Sequence, residues 1–130
     1  MSQENVEVVK RATAAYLAHD NEAARALYDP DIEIQGGFDG SVVYRGLSGV
    51  REYYSDWLGA IDLSGLEVEE WIDAGDDVIA TFRHWGQGKL SGVPVEQRRS
   101  DVWTVRDGKL WRMRSFASRD EALKAVGLEE

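Results

Sequence analysis

The sequence predicts an α+β fold in which helices at the front of the chain pack into one strongly curved, mostly antiparallel sheet. Two observations carry this reading. Apolar residues recur at steps of three and four through much of residues 4–60, and from there to Phe116 they alternate in strand fashion between turn signals. Helices followed by strands is the α+β order, whereas a doubly wound α/β chain interleaves the two. A strongly bent sheet wrapped around a long helix makes a cone, its inner face lined by alternate strand residues. The 130 residues fit a single domain, and five Trp, five Tyr and three Phe can fill its core without a staple.

Each element has its own signal. From about Glu4 to Ala18, the residues Val6, Val9, Thr13 and Tyr16 form one helical stripe. Asp20 suits the N-cap of a shorter second helix, which carries Ala23, Ala24, Leu27 and Tyr28 and stops before Pro30. DIEIQGG then alternates as a short strand and a glycine-rich loop follows. Leu47, Val50, Tyr54, Trp57, Leu58 and Ile61 predict a third helix from about Leu47 to Ala60. Strands are expected at Leu66–Ile72, ending in the DAGDD turn, at Val78–Trp85 and at Val93–Val105. In the next turn, RDG puts a glycine where a three-residue hairpin loop needs positive φ. With Val105 paired to Lys109, Asp101 faces Met113, Trp103 faces Trp111 and Arg99 faces Ser115; a two-residue loop would shift every partner. Ser118 and Glu121 form a capping box that opens a last helix through Leu123 and Val126 to Gly127.

The net charge of −9 is unevenly placed: residues 1–77 hold 17 acids and 5 bases, residues 78–130 hold 7 acids and 10 bases. Phosphate neutralisation needs a larger basic face than those ten residues make, so no nucleic acid partner is expected. Arg83, Arg98, Arg112 and Arg114 share the outward parity of three neighbouring strands, a solvated or dimer-facing surface where Glu67 and Glu69 are their expected partners. Zero cysteines exclude disulfides, thiolate metal sites and cysteine nucleophiles. The two histidines lie 65 positions apart with no HxH or HExxH pattern, so no metal is expected, and His19 reads as a surface residue at a helix junction. GQGKLSG lies between strands, outside the context of a phosphate loop, and no cofactor is expected. MSQENVEVVKR carries acids where a signal peptide needs bases, and no membrane association is expected, so the expected location is the cytoplasm.

The runs AHDNEAARALYDPDIEI, VVYRGLSGVREYYSDW and VWTVRDGKLWRMRSFASRDEAL, in that order, resemble the SnoaL-like branch of the nuclear transport factor 2-like superfamily over nearly the whole chain. The resemblance implies a cone-shaped α+β barrel with a pocket at its open end, commonly a homodimer through the outer face of the sheet. It spans ketosteroid isomerases, polyketide cyclases, limonene epoxide hydrolases and dehydratases, so it does not choose a reaction. In ketosteroid isomerase-like proteins a carboxylate after the first strand is the base, and a protonated acid on a late strand helps a tyrosine hold the enolate. Asp101 matches the second acid. The base position falls at about Gly36, with Asp39 the only nearby substitute, and the tyrosine position falls near Ala12, one turn before Tyr16. In the hydrolase and cyclase branches the last-strand acid falls at Ser115 and the middle-strand polar partner at His84.

His84, Arg99 and Asp101 are therefore the candidate catalytic residues: Asp101 to carry a proton or stabilise an oxyanion, His84 as its partner, and Arg99 as the orienting charge. Substrate contacts are expected from Tyr16, Tyr54, Trp57, Phe82, Trp103, Trp111, Met113 and Ser115. Trp71 and Trp85, on the opposite parity, are expected under a helix or at a subunit interface. A buried Arg–Asp pair with a hydrogen-bonded His is also a common structural device. The residues thus describe a pocket for a small hydrophobic molecule. Either it belongs to a cofactor-free acid–base enzyme of isomerase, cyclase or hydrolase type, or to a non-catalytic ligand-binding or dimeric interaction module.

Overall fold

The computed structural model describes residues 2–36 and 41–128; Asp39, the substitute base, lies outside them. Two helices come first, α1 (Ser2–Leu17) and α2 (Asn21–Ala26), followed by β1 (Tyr28–Gly36), β2 (Val42–Arg45) and α3 (Gly46–Ala60). Four long strands follow, β3 (Ile61–Ala74), β4 (Asp77–Gly88), β5 (Pro94–Arg106) and β6 (Lys109–Phe116), and α4 (Arg119–Ala125) closes the fold. The six strands form one sheet in the order β2-β1-β6-β5-β4-β3, antiparallel except where β1 runs beside β6. The α+β class and the curved, mostly antiparallel sheet are as the sequence predicts.

Asp20 caps α2 as expected, its side chain accepting from the Ala23 N–H. That helix ends sooner than the sequence suggests, at Ala26. Pro30 forces the residue before it out of helical geometry, and Tyr28 is already a strand residue, buried opposite Leu110. Between Tyr28 and Glu33 the β1–β6 pairing is interrupted, which is where a proline without an N–H is tolerated. The four-residue β2 has no sequence signal, because half of it is two exposed valines and its ladder touches only β1.

The β5–β6 hairpin corrects the expected register. Asp107 and Gly108 both have positive φ, 53° and 74°, and make a two-residue loop that pairs Arg106 with Lys109. A bulge then places Val105 opposite Leu110 but Thr104 opposite Arg112, leaving Trp111 as the extra residue. Every expected partner shifts by two positions, so Asp101 faces Ser115 and Trp103 faces Met113. The short loop alone would have turned this strand inside out; the bulge restores the parity. A second bulge at Glu69 reverses Trp71, which pairs with Ala80 and packs into the core beneath Lys10 of α1. Trp85 stays on the outer face, where its indole occupies the space a Cβ on Gly65 would need.

The concave face of the sheet holds α1 and α3. Val6, Val8, Val9, Ala12 and Ala15 of α1 are buried against Ile34, Val78, Trp103 and Met113, with Thr13 and Tyr16 only half-buried. On the convex face, Ala122 and Leu123 of α4 cover Ile79 and Val102. Ser118 caps α4 through the Glu121 N–H, and Gly127 (φ 76°) ends it, both as expected. No helix among the described residues is long and apolar enough to cross a membrane.

Candidate functional site

The β4–β5 ladder sets four rows of inward side chains on the concave wall: His84 opposite Gln97, Phe82 opposite Arg99, Ala80 opposite Asp101, and Val78 opposite Trp103. Asp101 therefore faces a small residue on one side and Ser115 on the other. Asp101 is 8% exposed and borders a chamber of about 70 Å³, room for a few water-sized groups. Tyr16, Tyr53, Trp57, Phe82 and Trp103 share that chamber. Arg99 donates from Nε to the Ser115 hydroxyl at 3.0 Å, and that hydroxyl in turn hydrogen-bonds Asp101. The other carboxyl oxygen, Oδ1, is buried without a partner among the described residues. Burial pushes the Asp101 pKa up to about 6, against the opposing pull of the Ser115 hydrogen bond and the Arg99 charge.

His84 is 1% exposed, stacked on Trp57 with ring centroids 5.2 Å apart, and its Nε2 meets Gln97 Oε1 at 3.1 Å. Because a carboxamide oxygen only accepts, Nε2 carries the proton, and Nδ1 is a buried lone pair with no partner among the described residues. Burial first, and the Arg99 charge second, hold the imidazole pKa below its ordinary value. The structure does not join His84 to Asp101. They sit two rows apart, about 13 Å at the rise of a strand, with Arg99 in the row between. Two pairings share one arginine, in place of the three-way cluster the sequence suggests.

The expected contact residues divide. Tyr16, Tyr54, Trp57, Phe82 and Trp103 line the chamber. Met113 does not; at 1% exposure it is core beneath Trp103. Ser115 serves the chamber through Asp101 rather than from its wall. Trp111, displaced by the bulge, lies 4.3 Å under the Arg106 guanidinium and borders neither cavity.

Tyr53 was not singled out by sequence, although it lies on the stripe of Val50 and Trp57 at helical spacing. Its hydroxyl pKa is raised by burial and then by the Asp101 charge, so phenol and carboxyl face one chamber. A Cβ on Gly36 would come within 2.8 Å of Tyr53 Cε1. The position where a base is expected is glycine because a tyrosine ring from α3 fills the space. Tyr44 packs edge-on against the same ring and donates to Asp56 at 2.8 Å.

A larger cleft of about 280 Å³ lies outside the chamber, between the α1–α2 junction and α3. Tyr16, Tyr28 and Tyr54 border both cavities and form the partition between them, Tyr16 and Tyr54 stacked at 4.7 Å. Burial raises the Tyr16 hydroxyl pKa to about 12, so it is a donor at neutral pH. Among the described residues no three His, Cys, Asp or Glu side chains gather as a metal site.

Comparison with known proteins agrees with this fold. Among curated proteins none matches the chain. Two solved NTF2-like proteins are similar throughout, one from Burkholderia xenovorans (25% identity, TM-score 0.77, 97% of each chain) and one from Burkholderia thailandensis (28%, TM-score 0.76, 97% of this chain and 98% of that one). A protein of ketosteroid isomerase-like fold from Catenulispora acidiphila, solved with trimethylamine, shares the fold at 18% identity and TM-score 0.71, over 94% and 93% of the chains. The SnoaL-like domain family matches residues 9–113, from the first helix to the strand that backs Asp101, and the chain belongs to that family.

Proposed function

We propose that the protein is a cofactor-free acid–base catalyst acting on a small, largely hydrophobic molecule, with Asp101 as the group that carries the proton. One observation supports this above the others: a buried carboxyl, half of it unpartnered, borders an aromatic chamber with its pKa at about 6. Both protonation states are then populated near neutrality, which a group that takes and returns a proton requires. Arg99 and Ser115 fix its orientation. The Tyr53 and Tyr16 hydroxyls supply hydrogen-bond donors for a developing oxyanion in a setting of low dielectric. His84, neutral and two rows away, is a positioning residue for the chamber wall. A substrate reaches Asp101 by parting the Tyr16–Tyr54 stack, and the outer face of the sheet is the proposed homodimer surface.

The second reading, a ligand-binding module without turnover, draws support from the chamber's small size and from the absence of an acid at Gly36 and Ser115. One experiment separates the two. Small apolar ketones, lactones and epoxides are incubated with the protein in deuterated buffer, and exchange, isomerisation or ring opening is followed by mass spectrometry. Turnover that falls at least ~100-fold in Asp101→Asn supports the catalyst. Compounds that raise the melting temperature of both proteins equally, with no chemistry in either, overturn it in favour of the binding module.

A further inference from the structure

The outer cleft has a character that the chamber lacks. Its floor is Tyr16, Tyr28 and Tyr54 with aliphatic neighbours, and its rim carries Arg25 from α2, Arg51 from α3 and His19 from the junction. No acid lines it. That is unexpected in this part of the chain, where 17 acids outnumber 5 bases. Of those five, Arg45 pairs with Glu33, Lys10 lies over Trp71, and Arg11 bonds the Glu7 carbonyl. Arg25 and Arg51 have no ion-pair or hydrogen-bond partner among the described residues, and both line one tyrosine-floored cleft, from α2 and α3.

His19 adds an independent mark. It occupies the left-handed position that ends α1, with φ 57°. The Asp20 N–H bonds the Ala15 carbonyl and the His19 N–H bonds the Tyr16 carbonyl, the closing pattern that glycine ordinarily serves. α4 ends in the same pattern, with Gly127 in that place. At the end of α1, which borders the cleft, a side chain occupies the strained position that Gly127 fills in α4.

We propose that this cleft binds a planar organic anion: a carboxylate on an aromatic or conjugated body, its ring laid on the tyrosine floor and its oxygens between Arg25 and Arg51. The guanidinium fork matches a carboxylate in geometry and charge, and the tyrosine faces suit a flat apolar body. This goes beyond the acid–base reading and holds whether or not Asp101 catalyses.

The test titrates the full chain with 2-naphthoate, its neutral isostere 2-naphthamide, and acetate, following tyrosine and arginine side-chain resonances by NMR. The expected result is that naphthoate perturbs Tyr54 and Arg51 and binds at least ~tenfold more tightly than either comparison compound. Arg25→Gln and Arg51→Gln, both on exposed side chains, each weaken naphthoate about fivefold, and the double variant loses it. Asp101→Asn changes its affinity by less than about twofold. The proposal is overturned if naphthamide binds as tightly as naphthoate, if the double variant binds like the parent, or if no compound binds saturably. Because the readout is binding and the acid–base reading is judged on turnover, either can fail alone.

Discussion

The two faces of the same strands handle charge in opposite ways. On the convex face Arg83 lies between Glu67 and Glu96 at 3.7 and 3.3 Å, Arg98 meets Glu69 at 2.8 Å, and Arg119 of α4 meets Glu70 at 2.7 Å. These are partly or fully solvated pairs whose partners are at hand. Arg114 is the exception, with its Nε buried and without a partner among the described residues. On the concave face Asp101 and His84 are deeply buried, and each has a polar atom without a partner among the described residues. Alternation along one strand separates Arg98 from Arg99 and Ser100 from Asp101, so a shared fold requirement cannot explain both patterns. The concave groups are held in a state that stability alone would not choose, and the acid–base role proposed for Asp101 accounts for it.

The largest test of this contrast is Asp101→Asn. The folded carboxyl titrates at about 6 against 3.8 for the ordinary group, so its protonated form favours the fold below about pH 4, and that advantage is lost as pH rises through 6. The shift corresponds to about 3 kcal/mol held against the fold at higher pH. Asp101→Asn is therefore expected to be more stable than the parent in urea unfolding at pH 8, by up to that amount, with the gain vanishing near pH 4. Glu69→Gln on the convex face is expected to change stability little at either pH. An Asp101→Asn protein no more stable at pH 8 than at pH 4, relative to the parent, would erase the distinction.

Next in size is Gly36→Ala. Its new Cβ meets the Tyr53 ring at 2.8 Å, and moving that ring disturbs the wall opposite Asp101. A loss of about 1–3 kcal/mol is expected from overpacking, measurable by thermal or urea unfolding. An unchanged protein would mean that Tyr53 does not hold the space left by the missing base.

Arg99→Gln sharpens the comparison inside the concave face. The guanidinium lowers the pKa of both its neighbours, so its removal is expected to raise Asp101 further and to return His84 toward its ordinary value. Asp101→Asn is expected to leave the His84 titration where it was, because no Asp101 influence reaches the imidazole across two rows. Carboxyl and imidazole resonances followed against pH read both. His84 moving with Asp101 but ignoring Arg99 would restore the direct partnership that the sequence suggests.

Much of this was legible before any coordinates. The capping residues Asp20 and Ser118, the helical stripes and the inward parity of His84, Arg99 and Asp101 all follow from local chemistry, which the chain obeys. What could not be read is what depends on bulges and on meetings between distant segments. RDG is compatible with loops of either length, and only the extra residue at Trp111 decides that Asp101 faces Ser115 and that Trp111 leaves the pocket. Glu69 does the same for Trp71. Tyr53 carries an ordinary core spacing, and its value to the site comes from Gly36, 17 positions earlier, being empty of side chain.

The smallest expected effect compares a helix from each side of the sheet. α1 on the concave side ends in His19 and α4 on the convex side ends in Gly127, with the same pair of closing hydrogen bonds. A non-glycine residue in left-handed geometry costs about 1–2 kcal/mol, part of which glycine gives back through the greater freedom of its unfolded chain. His19→Gly is therefore expected to stabilise the protein by about 0.5–1 kcal/mol, while Gly127→Ala destabilises it by a similar amount. If His19 is kept for the cleft, the same substitution weakens naphthoate binding as it strengthens the fold. Stabilisation without any loss of binding would leave the strain at His19 with no functional reason, and the difference between the two helix ends would then be one of sequence drift alone.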